Sequence, residues 1–461
     1  MTPGEAPGSC RRVLTLAYHY PPLGGAGVQR MAQLARRLPD LGWEPTVITG
    51  PGGPESRWRP RDETVGVDGR SARVHRLPSP EPPHDVRWEG RLERWLRISS
   101  RWERWWATNV RHVAGSVDAG VTLVHASLAP YSTAETATAL ARRLGKPLVL
   151  DLEDPWALDE MIVYPSRLHR RLERRRMGRV LEAADAVVMN TPEARLRVLA
   201  TFPRLSPSRV LAIPNAFEPL DFERVTEHRY DGRFRIVHTG SLHTEMGMRH
   251  RSTGRLRRIL GGAVPGVDFL PRSHVFLLQA VQSVLEQDPS LEGAIEVRLA
   301  GVFTAEDRAV AAQYPFVVLE EFVPHRDTIA LLQSADLLFL PMHDLPDGIR
   351  AGLVPHKTYE YLAVGRAILA AVPDGDARDL LNASGVARLV RPGDVAGIAD
   401  ALRAELERWR SGAASIVPNA DVVASCSAVR LARDFAELYA ALAGVASVGS
   451  ITGAPSRLKP A

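Results

Sequence analysis

Short apolar runs alternate with longer stretches of helical period along almost the whole chain. That pattern predicts βαβ units stacked around parallel sheets. In the first half, the runs 13–18 (VLTLAY), 45–49 (PTVIT), 121–125 (VTLVH), 147–151 (PLVLD), 186–189 (AVVM) and 209–213 (RVLAI) read as buried strands. Between the first two, Val28, Met31, Ala32, Ala35 and Leu38 share one face at helical spacing, and Gly42 is a natural stop. The second half repeats the style, with strands at 234–238, 294–299, 316–319, 336–340, 367–371 and 386–390. Helical patterns fall at 274–287, 304–313, 325–334, 355–364 and 375–383. The reading is α/β: two open sheets in series, joined near Pro214–Asp221.

Three segments break the rhythm. Residues 50–87, rich in Gly, Pro and Arg, read as loop. Residues 243–271 lack a period and read as an insertion. From about 446 the chain reads as a disordered tail, and before it 428–443 predicts an amphipathic helix with no strand after it.

Composition narrows the class. A chain of 461 residues exceeds one ordinary core and implies two or three domains. With 45% apolar and 24% charged residues, neither a disordered nor a fibrous chain fits. The net charge of +5 suits a phosphate-bearing ligand, an anionic lipid or a nucleic acid, and selects none of them. Two cysteines, Cys10 and Cys426, exclude a disulfide framework or a zinc knuckle. No charged-then-apolar leader and no run of about 18 apolar residues is present, so the expected location is cytoplasmic.

Two constellations carry candidate chemistry. The first is Tyr18 to Arg30, a strand, a turn with Gly24, Gly25 and Gly27, and a helix. Glycines admit a phosphate to the backbone, and the helix N-terminus favours its charge. A tight turn needing glycine for geometry alone remains the alternative. The next strand ends Thr49-Gly50-Pro51-Gly52 without a carboxylate, which argues against NAD. The second is 351–371 (AGLVPHKTYEYLAVGRAILAA), where a helix begins at or near Pro355. Lys357 in its first turn offers charge to a phosphate, and Glu360 suits a ribose diol or is simply a solvated carboxylate.

The run Pro355-His356-Lys357-Thr358-Tyr359-Glu360-Tyr361-Leu362-Ala363-Val364-Gly365-Arg366-Ala367-Ile368 resembles the donor-site helix of family-4 retaining glycosyltransferases of the GT-B fold. Other segments agree in order: Tyr18–Gln29, the Asp151–Trp156 motif, Ile213–Phe217, His238–Ser241 and Ala335–Pro341. The resemblance implies two Rossmann-like doubly wound domains facing a central cleft. Residues 1–215 would be the acceptor side and 216–425 the nucleotide-sugar side. A helix at 426–445 would return to the first domain, and 446–461 would be the tail. The donor, a nucleoside diphosphate sugar, would meet Gly25, Gly27, Gly240, Ser241, Phe322, Val323, Pro355, His356, Lys357 and Glu360. Asp154, Arg272 and Lys357 would be catalytic, with no metal and no other cofactor. The acceptor would be a hydroxyl of a glycan, a lipid-linked carrier or a small metabolite.

Three positions depart from the family's pattern. Gly352 stands where the first of two paired glutamates belongs. Ser241 replaces a basic residue, and Met246 stands near an expected lysine. Arg272 is the best replacement, with Arg249 and Arg251 weaker. Either the phosphate grip has moved, or the chain is a catalytically impaired sugar-nucleotide-binding relative.

A tryptophan stripe at Trp88, Trp95 and Trp102, with Trp105 and Trp106 beside it, is interleaved with arginines over 87–111. Such a basic helix lies on an anionic membrane or packs its apolar face inside. Asp151, Asp154 and Trp156 line the acceptor side or cap structure, and His19 and His125 read as structural. The arginines of 87–111 and 167–179 also motivate a nucleic-acid-binding alternative. No nucleic-acid motif accompanies them, so no nucleic acid is expected.

Overall fold

A computed structural model describes residues 11–53, 61–65, 72–82, 87–117, 120–224, 231–252, 260–414 and 416–444. The first sheet comprises β1 Arg11–Leu16, β2 Trp43–Thr49, β3 Arg73–Arg76, β4 Val121–Ser127, β5 Leu148–Leu152, β6 Ala186–Met189 and β7 Val210–Ala212. The second comprises β8 Phe234–Thr239, β9 Ile295–Ala300, β10 Val317–Glu320, β11 Leu337–Pro341, β12 Ala367–Ala371 and β13 Ala387–Val390. The strand orders are β3-β2-β1-β4-β5-β6-β7 and β10-β9-β8-β11-β12-β13. Every pairing in the two sheets is parallel. The strand order turns back beside β1 in the first sheet and beside β8 in the second. Crevices for ligands open at such switch points, beyond the carboxyl ends of the strands.

Burial on both faces explains the continuous apolar runs. Leu14, Ile48, Val124 and Leu150 join one core layer, while their chain neighbours Val13, Val47, Leu123 and Val149 join the layer on the other face. The second sheet is built alike, with Val237, Leu338 and Ile368 on one side and Ile236, Leu337 and Leu369 on the other.

The helix Ala428–Ala443 packs on the first sheet. Leu431, Phe435 and Tyr439 share a core with Met31, Ala35 and Trp43 of the first domain. Its Tyr439 hydroxyl lies 2.7 Å from His125 Nδ1. Arg30, fully buried, ties these parts together. It binds Asp151 through Nε at 2.8 Å and Nη2 at 3.0 Å, and donates to the carbonyls of Ile213 and Pro214 where the chain crosses between domains. Burial alone would raise the Asp151 carboxyl, but Arg30 and His125 more than offset it and hold it below its ordinary range. Asp151 and His125 are therefore structural.

Several expectations need correction. The segment 50–87 is not all loop, because Arg73–Arg76 forms the edge strand β3; its largely exposed, polar side chains hid it. The segment 243–271 opens with a helix, Thr244–Arg251. The basic stretch 87–111 is two helices, Arg87–Leu96 and Arg101–Ala114. Between them Arg97 takes φ 55, and Ser100 caps the second helix in a capping box with Glu103. The stripe is thereby divided. Trp106 is in the core with Trp102 and Trp105 packed against it, whereas Trp88 and Trp95 are 62% and 51% exposed. The tail from 446 lies outside the described residues.

Candidate active site: the cleft between the two sheets

The strand β8 ends at Thr239, and Gly240 follows with φ +99. A Cβ on Gly240 would lie 2.9 Å from Lys357 Nζ, and one on Gly301 would lie 2.7 Å from the Gly240 carbonyl oxygen. Two glycines thus let the loops after β8 and β9 close up and let Lys357 rest on them. Lys357 opens the helix Lys357–Val364, which follows β11. Its Nζ lies 3.2 Å from His238 Nε2, while His238 Nδ1 lies 2.9 Å from the Phe339 carbonyl. The carbonyl can only accept, so Nδ1 carries the proton and Nε2 accepts from the ammonium.

Arg272 precedes the helix Val275–Gln287 and reaches into the same space, with Nη1 3.1 Å from Met161 Sδ. Burial and then Arg272 push the Lys357 ammonium down to about 7, with Glu360 opposing. Burial also lowers Arg272, against Asp154 and Asp159. His243 falls to about 3 through burial, Arg272, Lys357 and His343. Two basic groups and neutral imidazoles therefore converge at the tip of β8, and among the described residues neither base forms an ion pair with the carboxylates near it. That environment favours an anion, and such perturbed groups gather at functional sites.

Across the cleft, β5 leads into Glu153 and Asp154. Glu153 Oε2 would lie 3.9 Å from a Cβ on Gly27, and its Oε1 is buried without a hydrogen-bond partner. Burial, helped by Asp151 and Asp154 and opposed by Arg30, pushes the Glu153 carboxyl up to about 8. Asp154 is exposed to the cleft. Lost hydration between the walls raises it, and Arg272 of the other domain pulls it back. Asp159 rises to about 7, chiefly through burial and then through Asp154.

Glu360 is buried and already engaged. Gln29 Nε2 donates to its Oε1 at 3.0 Å, and His325 Nδ1 and His356 Nδ1 stand 3.7 and 3.8 Å away. His325 Nε2 meets Asp221 Oδ2 at 2.9 Å, and its backbone N–H donates to Asp62 at 2.6 Å. Burial would lower His325, but Asp221, Glu360 and Asp62 outweigh it and raise it. Phe322 and Val323 lie in the loop between β10 and the helix His325–Gln333; Phe322 is exposed and Val323 half-buried.

The structure thus brings Gly240, Ser241, Arg272, His356, Lys357 and Glu360 to one edge, and Gly25, Gly27 and Asp154 to the facing one. Ser241 is exposed, and Pro355 is buried just before the helix Lys357–Val364. The weaker candidates point elsewhere: Arg249 pairs with Glu245, and Arg251 with Asp268. Trp156 is a core residue stacked on Tyr131, with ring centroids 4.9 Å apart. His19 packs edge-on to Tyr18 at 5.0 Å, and burial lowers it to about 4. Gly352 is buried against the first domain. A Cβ there would lie 3.3 Å from Ala194 N, and the Gly352 carbonyl accepts from Thr191 Oγ1 at 3.0 Å. Asp376 Oδ2 accepts from the Glu193 N–H beside it at 2.8 Å. Gln29, Glu153, His243, His325 and His343 join the site without a sequence signal of their own. Gln29 and Glu153 lie inside the runs Tyr18–Gln29 and Asp151–Trp156, and the histidines carry no local pattern at all.

Residues 24–216 match the family model of the glycosyl transferase 4-like domain. No curated protein matches the chain by sequence. Among solved structures, Anabaena Alr3699/HepE in complex with UDP and glucose is similar at 15% identity and TM-score 0.58, over 94% of this chain and 100% of that one. The α,α-trehalose 6-phosphate synthase of Burkholderia multivorans is similar at 14% identity and TM-score 0.58, over 95% and 99%. A trehalose-6-phosphate protein from E. coli bound with UDP-2-fluoro glucose follows at 14% and 0.56, over 95% and 100%. At these identities the likeness speaks for the fold. The chain has the two-domain GT-B fold, and the match to the glycosyl transferase 4-like domain covers residues 24–216 of its first half.

Proposed function

We propose that this protein transfers a sugar from a nucleoside diphosphate sugar to a hydroxyl acceptor with retention of configuration. The observation that carries the reading is the convergence of Arg272 and Lys357 on glycine-lined loops at the tip of β8. A leaving diphosphate gains negative charge as the glycosidic bond breaks, and preorganised cations in a poorly hydrated cleft stabilise that charge best. Lys357 and the first amides of its helix hold the diphosphate, and Arg272 answers the charge on departure. The Gly25–Gly27 turn closes from the other side. Glu360 takes the ribose hydroxyls in exchange for Gln29, and Phe322 and Val323 flank the base. Asp154 takes the acceptor's proton, a role supported by its carboxyl standing across the cleft from Arg272. With cations in this role the reaction needs no metal.

Uridine is the first base to test, because similar folds carry UDP and UDP-2-fluoro glucose. Purified protein incubated with a panel of UDP- and GDP-sugars and hydroxyl acceptors should release nucleoside diphosphate in the presence of chelator. NMR of the product should show the donor's anomeric configuration. An inverted product removes the retaining mechanism. A second reading, a relative that binds sugar nucleotides without turning them over, is favoured by the burial of Gly352 against Ala194. It predicts a donor-induced rise in thermal stability and no release with any acceptor.

A further inference from the structure

Two features that are separate in the sequence meet on one surface of the first domain. The helix Arg87–Leu96 turns Trp88, Leu92, Trp95 and Leu96 outward at helical spacing, and Ile98 follows them; each is at least half exposed. Its end is fastened to the helix Arg167–Glu182. The Trp95 ring packs edge-on to His169 at 5.0 Å, the Trp95 carbonyl lies 3.0 Å from His169 Nε2, and Arg97 reaches Glu173 at 3.5 Å. Beside this contact runs a groove of about 880 Å³ lined by eight arginines and a single glutamate, Glu182. Arg170 is committed to the carbonyls of Asp159 and Gly262. Arg171, Arg174, Arg175, Arg179 and Arg204 are exposed and have no carboxylate partner among the described residues. Leu168, 60% exposed, extends the apolar strip into the arginines.

We propose that these two helices form one face that docks on the surface of a bilayer containing anionic lipids. Unpaired arginines seek phosphate, and screening by lipid headgroups relieves their mutual repulsion. The tryptophans and leucines decide the kind of partner: they gain nothing on a phosphate backbone in water and are stabilised at the headgroup boundary. The helix Arg87–Leu96 has 10 residues, too few to cross a bilayer, and no helix among the described residues is long and apolar enough to do so. The contact is therefore peripheral. The face adjoins the cleft through the segment Asp154–Ser166, in which Met161 touches Arg272 and Tyr164 N–H donates to Gly262. An acceptor held in the bilayer would be presented beside Asp154. The docking itself does not depend on the catalytic reading.

Vesicle flotation tests it with the full chain. We expect the protein to float with phosphatidylcholine vesicles containing about a third phosphatidylglycerol, and to release as salt is raised. It should stay behind with phosphatidylcholine alone. Trp88→Ser/Leu92→Ser and Arg171→Gln/Arg174→Gln/Arg175→Gln should each weaken flotation by about tenfold or more while leaving the melting temperature and donor binding unchanged. Flotation unaffected by either variant, or equal on both vesicles, overturns the proposal. Duplex DNA bound more tightly than the anionic vesicles, and unchanged in Trp88→Ser/Leu92→Ser, overturns it too and assigns the arginines to nucleic acid.

Discussion

Gln29, on the first helix of the first domain, donates its amide to Glu360 of the second across 3.0 Å. The carboxylate assigned to the ribose is thus occupied by a hydrogen bond that also holds the two domains together. A ribose diol must replace that bond rather than fill an empty place. Gln29→Ala should therefore strengthen donor binding, by up to about fivefold for one net hydrogen bond of about 1 kcal/mol. Glu360→Ala should abolish the donor-induced rise in melting temperature. Calorimetric titration of both variants checks this; a Glu360→Ala protein that binds like the parent removes Glu360 from the donor site.

Lys357 gives the pH dependence. Burial and Arg272 bring its ammonium down to about 7 in the free protein, and a bound diphosphate would raise it again. The group is thus easier to protonate in the complex than in the free protein. Affinity is full below pH 7 and falls as pH rises above it, by up to about tenfold per pH unit until the complex itself deprotonates. Dissociation constants at pH 6.5, 7.5 and 8.5 test the slope, with Lys357→Met as control. The variant should bind more weakly and show a flat profile; a sloping profile in Lys357→Met would move the titration to another group.

How much of this was legible in the sequence depended on how local the signal is. Parallel strands buried on both faces write themselves as apolar runs, so β1, β5 and β12 stand where the runs stand. The strand β3 has only Arg73, Val74, His75 and Arg76, largely exposed at the sheet edge, and leaves no such trace. The helix N-terminus at Lys357 was visible from Pro355 and Gly365. Gln29 against Glu360, and His325 against Asp221, were not: each pair is separated by more than a hundred positions. Such meetings are set by domain packing, which no window of sequence contains.

Glu153 offers a stability test independent of catalysis. Burial with Asp151 and Asp154 raises its folded-state carboxyl to about 8, above the ordinary value of 4.5. A group raised on folding contributes stability that is full below its unfolded value and is lost as pH rises through the folded one. Glu153→Gln should match the parent near pH 4.5 and exceed it at pH 9 by at least about 1 kcal/mol. Urea unfolding across that range measures it; a constant difference at every pH would show that the carboxyl ionises normally.

Gly352 tests whether the missing glutamate can be restored. Its Cα side is closed by Ala194, and Thr191 and Asp376 bind across the same junction. Any side chain at 352 brings its Cβ to 3.3 Å from Ala194 N, so the start of the helix Pro192–Thr201 must give way to accept a glutamate. We expect Gly352→Glu to lose about 1–3 kcal/mol, in the range of overpacked interiors, and to gain no transferase activity. A stable, more active variant would mean that the domains separate here during turnover.

The tryptophans of one sequence stripe should behave as two populations. Trp106 is fully buried, donates through Nε1 to Thr133 Oγ1 at 3.0 Å and meets Tyr18 edge-on at 5.3 Å. Trp106→Ala leaves a large cavity and an unpaired Thr133 hydroxyl, at about 3–5 kcal/mol. Trp88, beyond the break at Arg97, is mostly in water, and Trp88→Ser should change stability by less than about 0.5 kcal/mol. Urea unfolding of the two variants decides it. Equal losses would mean that the helix Arg87–Leu96 is packed in solution, and the capping box at Ser100 would then interrupt a single buried stripe rather than divide core from surface.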